Sequence, residues 1–179
     1  VFISGTGSNL KNLIKFSKIK NSPISIILII SNTTQAKGLK YANQFNIKKK
    51  IFSFQNFTDT EKKISTLLKK EKIKFICLAG FMKILSKDFI KKFEGKIVNI
   101  HPSLLPKYKG LNTHNRAIKN QDKFAGCTVH YVTAQLDSGK TILQKKIRIT
   151  LKDNKTTLAK KVLKQEHKLY PAAIIKIFN

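Results

Sequence analysis

The run Asn99-Ile100-His101-Pro102-Ser103-Leu104-Leu105-Pro106 holds the residues of this chain best suited to chemistry. Lys96-Ile97-Val98 before it reads as the body of a buried strand. Side chains two apart on a strand share a face, so Asn99 and His101 project together. Pro102 then ends the strand. A carboxamide donor beside an imidazole at a strand's carboxyl end can stabilise negative charge developing on a carbonyl oxygen, which points to acyl or formyl transfer. The competing reading is a pair of core polar residues satisfied by backbone groups. Packing alone explains neither the shared face nor the abrupt proline.

A third group should orient or charge the histidine, as a carboxylate does in triad-type sites. The chain has only nine acidic residues, and Asp137 is the best placed, because Leu136-Asp137-Ser138-Gly139 reads as a turn between two strands. Aspartate is also common in turns for conformational reasons alone. Thr128 and His130 share one strand face, opposite Val129 and Tyr131, and could line the same cavity; His130 could equally be a satisfied core histidine. Glu166 falls within the apolar stripe Leu158, Val162, Leu163, Leu169 and Tyr170 of a terminal helix, where a buried carboxylate needs a partner or a ligand. His167 lies at the edge of that stripe and is assigned no chemistry.

Gly5-Thr6-Gly7-Ser8-Asn9 joins a strand to a helix and could aim backbone amides at an anion such as phosphate. A tight turn with Ser8 as helix N-cap fits these residues equally well. A dinucleotide fingerprint would add a third glycine and an acidic residue after the second strand. Leu10 and Ser31-Asn32 occupy those places, which argues against NAD.

These residues need elements to carry them. Residues 1–4 read as the tail of a strand that has lost its first residues. Leu10, Leu13 and Ile14 then recur with helical spacing, and 24–31 is an apolar run of the kind buried on both faces of a sheet. A helix near 36–45, a strand near 50–54, a capping box Thr58-x-x-Glu61 opening another helix, and a strand Phe75–Ala79 follow. After 110 come a short helix, strands near 126–133 and 140–150, and a helix from about 156. This alternation predicts an α/β fold with a doubly wound, mostly parallel sheet and flanking helices, in a single domain over 1–179. Ligands of such sheets bind beyond the strands' carboxyl ends, where Gly5, Gly80 and His101 lie.

With 179 residues, of which 41% are hydrophobic, the chain can bury one sizeable core. The formal charge of +27 suggests a nucleic-acid partner, but only Arg116 and Arg148 are arginines. Lysine lacks the planar fork that reads bases and phosphates, so a solvated lysine surface on an enzyme is the preferred reading, with no specific nucleic acid. Ile26-Ile27-Leu28-Ile29-Ile30 is too short to cross a bilayer, and no signal-peptide pattern precedes the first glycine-rich turn. A cytoplasmic protein without membrane association is expected. Cys77 and Cys127 have neither a close Cys partner nor a His cluster, so reduced core thiols and no metal site are expected.

Taken jointly, Ile3-Ser4-Gly5-x-Gly7-Ser8-Asn9, Leu78-Ala79-Gly80-Phe81-Met82-Lys83-Ile84-Leu85-Ser86, the 99–106 run, Leu136-Asp137-Ser138-Gly139 and Gln165-Glu166-His167 carry a resemblance. The chain resembles the folate-dependent glycinamide ribonucleotide formyltransferase family along essentially its whole length. The resemblance implies a formyltransferase (Rossmann-like) fold and a role in purine biosynthesis. It implies Asn99, His101 and Asp137 as catalytic residues, acting on 10-formyltetrahydrofolate and the amine of glycinamide ribonucleotide without a metal. It also implies that Gly7, Ser8 and Asn9 hold the substrate phosphate and that Glu166 binds the ribose. Met82, Lys83, Ile84 and Leu85, with Val132, Thr133, Ala134, Gln135 and Leu136, would line the folate pocket, and Thr128 and His130 are expected as supporting residues of the catalytic cavity. A monomer or weak homodimer is expected.

The chain departs from the family pattern by carrying Lys83, and Lys62 or Lys63, where members use Arg, and by ending soon after the helix containing Glu166. Formyltetrahydrofolate hydrolase and methionyl-tRNA formyltransferase share the catalytic pattern. Each would be expected to have a different residue at Pro102 and an additional domain. A basic nucleic-acid-binding module on a dead enzyme fold is the alternative of another class.

Overall fold

The computed structural model describes residues 1–179, which divide into two compact units, Val1–Val98 and Asn99–Asn179. In chain order the elements are β1 (Phe2–Ile3), α1 (Ser8–Ser17), β2 (Leu28–Ser31), α2 (Leu39–Gln44), β3 (Lys48–Ile51), α3 (Phe57–Lys70), β4 (Phe75–Leu78), α4 (Lys87–Lys92), β5 (Lys96–His101), α5 (Thr113–Lys119), β6 (Phe124–Tyr131), β7 (Thr141–Arg148) and α6 (Lys155–Phe178). The strands order β3-β2-β1-β4-β5-β6-β7 in a seven-stranded sheet. The β1–β2, β2–β3 and β1–β4 pairs are parallel, whereas β6 and β7 pair antiparallel. This is the doubly wound, mostly parallel sheet that the alternating sequence predicts, and its order reverses direction between β1 and β4.

Strand lengths follow available partners. The apolar run predicts a strand over 24–31, but β2 begins at Leu28, where its pairing with Lys48 of β3 starts. From there all four residues are buried, as expected of a strand covered on both faces. The strand expected at 50–54 lies instead at Lys48–Ile51. It is the sheet's edge, each of its residues exposed, and three consecutive lysines suit an edge that must not pair further. Phe54, expected in that strand, packs edge-on against Phe57 and Phe81 at 5.2 and 5.7 Å.

Two expected helix starts are corrected. The cap of α1 is Gly7, with Ser8 its first helical residue, because Gly7 takes the left-handed conformation (φ 76°, ψ 25°). The cap of α3 is Asn56, whose side chain accepts from Asp59 N at 3.2 Å. Thr58 and Glu61 therefore form no capping box; Glu61 turns inward and is 6% exposed. In the second unit, α6 opens with a capping box between Asn154 and Thr157 and buries Leu158, Val162, Glu166, Leu169 and Tyr170 on one stripe.

Gly7 packs against Gly38, and a Cβ on Gly7 would lie 2.5 Å from the Gly38 Cα, backbone against backbone. A Cβ on Gly5 would meet nothing within 4 Å. Gly7→Ala should therefore lower unfolding stability by about 2 kcal/mol or more, from left-handed strain plus the clash, while Gly5→Ala stays within about 0.5 kcal/mol. Urea unfolding of the two variants checks the contrast.

Candidate active site

In the second unit, β5 delivers Asn99 half-buried and His101 at 6% exposure. The imidazole Nε2 of His101 lies 2.9 Å from the Tyr108 carbonyl, and Nδ1 lies 3.3 Å from Asp137 Oδ2. Both ring nitrogens thus face acceptors, an arrangement fully satisfied when both carry hydrogen. Asp137 sits in the turn before β7 at φ 47°, a left-handed conformation that aspartate tolerates better than most residues. Its carboxylate is 7% exposed and also accepts from Gly110 N at 2.8 Å.

His130 completes the cluster from β6. Its Nδ1 donates to the Tyr131 carbonyl at 2.8 Å, which leaves Nε2 as an acceptor for the Asn99 amide at 3.3 Å. Burial is the main cause holding His130 below the ordinary imidazole range. The Tyr131 carbonyl and Asp137 oppose it, and His101 adds to it. A neutral His130 therefore fixes one amide hydrogen of Asn99 and leaves the other free to serve a second acceptor. Asp137 Oδ1, 3.7 Å from His130 Nε2, is too distant to compete for that nitrogen by hydrogen bonding.

Thr128, on the same strand face as His130, turns to the loop that follows His101. Its hydroxyl donates to the Ser103 carbonyl at 2.6 Å and accepts from Leu105 N at 3.1 Å and Gln144 Nε2 at 2.9 Å. Val132–Leu136 forms a loop with Thr133–Leu136 exposed, turned by a Thr133 hydroxyl bond to the Gln135 carbonyl. Glu166 is 7% exposed on α6. Cys127, fully buried on β6, has its thiol pushed up to about 12 by burial and then by the charge of Glu166, so it stays protonated and inert.

Sequence reasoning missed three participants. The Tyr108 carbonyl and Gly110 N–H are backbone groups that no residue type announces. His114 of α5 is half-buried with its Nδ1 unpartnered, and burial, then the positive charges of His101 and Lys155, hold it below the usual imidazole range. Its proximity to His101 arises from the 102–112 loop rather than from any local spacing.

In the first unit, the Gly7–Asn9 turn places the first-turn amides of α1, which have no intrahelical acceptor, beyond the carboxyl end of β1. The segment after β4 displays Met82 at 63% and Ile84 at 60% exposure with Lys83 between them, while Leu85 is buried. No group of three or more His, Cys, Asp or Glu is placed to hold a metal ion.

An amide, an imidazole and a carboxylate gathered at the end of a strand are groups able to stabilise charge on a carbonyl oxygen. The family model described as formyl transferase matches residues 1–174, and the chain belongs to that family. It is 41% identical over 177 residues to the phosphoribosylglycinamide formyltransferase of Haemophilus influenzae, covering 97% of this chain and 84% of that protein. It is 40% identical to the trifunctional purine biosynthetic protein adenosine-3 of Gallus gallus over 97% of this chain, but spans only 18% of that relative's length. Among solved structures, phosphoribosylglycinamide formyltransferase from Brucella melitensis superposes with a TM-score of 0.93 at 42% identity, covering 99% of this chain and 93% of that one. The enzyme of the same name from Bacillus halodurans gives 0.94 at 33% identity with the same coverage.

His114, His130 and His167 are all held below the ordinary imidazole range, with burial the largest cause in each. The unfolded chain binds their protons at a pH where the fold keeps them neutral. Their contribution to stability is complete above about pH 6.5 and is lost as pH falls through each folded value. The urea midpoint should drop between pH 7 and pH 5, and His130→Gln should shallow that drop. A midpoint constant across the range would contradict the assignment.

Proposed function

We propose that the chain transfers the formyl group of 10-formyltetrahydrofolate to the primary amine of glycinamide ribonucleotide, a step of purine biosynthesis. The observation that carries this reading is the buried cluster in which Asp137 and the Tyr108 carbonyl hold His101 while His130 holds Asn99. The amine attacks the formyl carbon, forming a C–N bond and placing negative charge on the formyl oxygen. The free Asn99 amide hydrogen and the Nε2 hydrogen of His101 stabilise that charge, the oxyanion replacing the Tyr108 carbonyl as acceptor. Collapse of the intermediate breaks the bond to N10 of the folate, and the proton lost by the amine passes to N10 through water beside Asp137.

In this reading the Gly7–Asn9 turn receives the substrate phosphate and Glu166 the ribose hydroxyls. The 82–85 and 132–136 segments receive the folate, with Met82, Lys83 and Ile84 the exposed residues of the first and Leu85, at 3% exposure, its buried end.

Incubation with both substrates should give formylated ribonucleotide by mass, dependent on the ribonucleotide. Formate released regardless of ribonucleotide would favour hydrolysis instead. His101→Ala and Asp137→Asn should each lower kcat by roughly 100- to 10,000-fold. Glu166→Ala should mainly raise KM for the ribonucleotide. Near-normal turnover in His101→Ala would overturn the mechanism.

A further inference from the structure

We infer that Ser4 and Glu61 are positioning residues that clamp the Met82–Leu85 segment from both ends and preform it for the folate; the inference rests on the functional reading above. The segment is irregular backbone between β4 and α4, and such backbone stays in one conformation only if something holds it. At its start, Met82 N donates to the Ser4 hydroxyl at 2.8 Å, and that hydroxyl donates to Asn32 Oδ1 at 2.5 Å. One oxygen at the carboxyl end of β1 thereby ties the end of β2 to the loop after β4. Asn32, standing where a dinucleotide site would carry an acidic residue, has this task instead.

At the segment's other end, Glu61 of α3 directs both carboxylate oxygens to one residue. Oε1 accepts from Ser86 N at 2.8 Å and Oε2 accepts from the Ser86 hydroxyl. That hydroxyl in turn accepts from Phe89 N at 3.0 Å and caps α4. Glu61 is 6% exposed and has no cation bridged to it, whereas Asp59 on the same helix pairs with Lys63. A buried carboxylate satisfied only by an amide and a hydroxyl is a costly way to gain stability, which suits a role in fixing position.

The held backbone looks outward. The N–H and C=O groups of Lys83 and Ile84 make no hydrogen bond to other backbone groups, and Met82, Lys83 and Ile84 stand open to solvent while Leu85 anchors the end of the segment in the core. Free backbone donors and acceptors beside the exposed apolar side chains of Met82 and Ile84, with both ends tied, form an edge that can read a flat heterocycle without first being ordered. Ser4 and Glu61 touch no substrate in this arrangement; they act through Met82 and Ser86.

The test uses the full chain. Glu61→Gln keeps the shape but loses one of the two acceptors, and Ser4→Ala removes the other clamp. Each should raise KM for 10-formyltetrahydrofolate, and Kd for tetrahydrofolate by calorimetry, about tenfold, with KM for the ribonucleotide within about twofold. In a double-mutant cycle, Glu61→Gln and Ser86→Ala should be non-additive in tetrahydrofolate affinity. A purely structural role would lower the melting temperature without this selectivity for folate. Should Glu61→Gln fail to fold, Ser4→Ala carries the same expectation. A folded variant with unshifted folate constants, or one weakened equally toward both substrates, overturns the inference while wild-type transfer leaves the functional reading standing. A wild-type chain that binds no tetrahydrofolate overturns both.

Discussion

Asp137 is a carboxylate buried to 7% exposure in a chain with 36 lysines and arginines and only nine acids, and no lysine bridges it. Six of those acids, Asp59, Glu71, Asp88, Glu94, Asp122 and Asp153, each pair with a lysine. A buried charge must be compensated, and for Asp137 the compensation comes from the Gly110 amide and the His101 ring. Excluding lysine keeps its negative field directed at the imidazole. Much of the second unit's local geometry follows from that requirement. Gly110 at φ 76° presents its amide, and Tyr108 at φ 57° lies two residues before it with its carbonyl toward the other ring nitrogen.

Period-two spacing made Asn99 and His101 legible, because strand geometry is local and the proline marks its end. Asp137 was legible through scarcity, and Glu166 through its place on an apolar helical stripe, where it is indeed buried. The partners that set their states were not. His130 stood on a recognisable strand face, but its neutral form and its hold on Asn99 depend on burial and on a carbonyl one residue away. The Tyr108 carbonyl and Gly110 amide belong to no side chain, so residue type cannot reveal them.

The same distinction separates the fold features that were readable from those that were not. Apolar runs and alternation predicted the sheet, but strand limits depended on partners: β2 starts where β3 begins to pair, and β3 is three lysines and an isoleucine that no hydrophobic pattern marks. Thr58 and Glu61 had the right spacing for a capping box. Asn56, two residues earlier, took the cap, and Ser86, 25 residues away, took the glutamate. Local spacing describes what a side chain can do; long-range geometry decides which of its options is used.

Arginine use follows the same logic. Lysine serves where the demand is only for charge, as in the exposed pairs of α3 and α4, whose worth is small. Arg116 stands where shape matters. Its guanidinium donates to the Lys109 carbonyl at 2.7 Å and lies 4.8 Å from the centre of the Tyr108 ring, a combination of planar donor and stacking surface that an ammonium does not supply. The Tyr108 hydroxyl is bound by Asp122 and Asn120, and the Ser103 hydroxyl donates to the Lys107 carbonyl. One of the chain's two arginines therefore braces the short segment that presents the Tyr108 carbonyl to His101 and the Gly110 amide to Asp137. The segment is thus held by Asp122, Asn120, Ser103 and Arg116, independently of the imidazole and the carboxylate that its carbonyl and amide face.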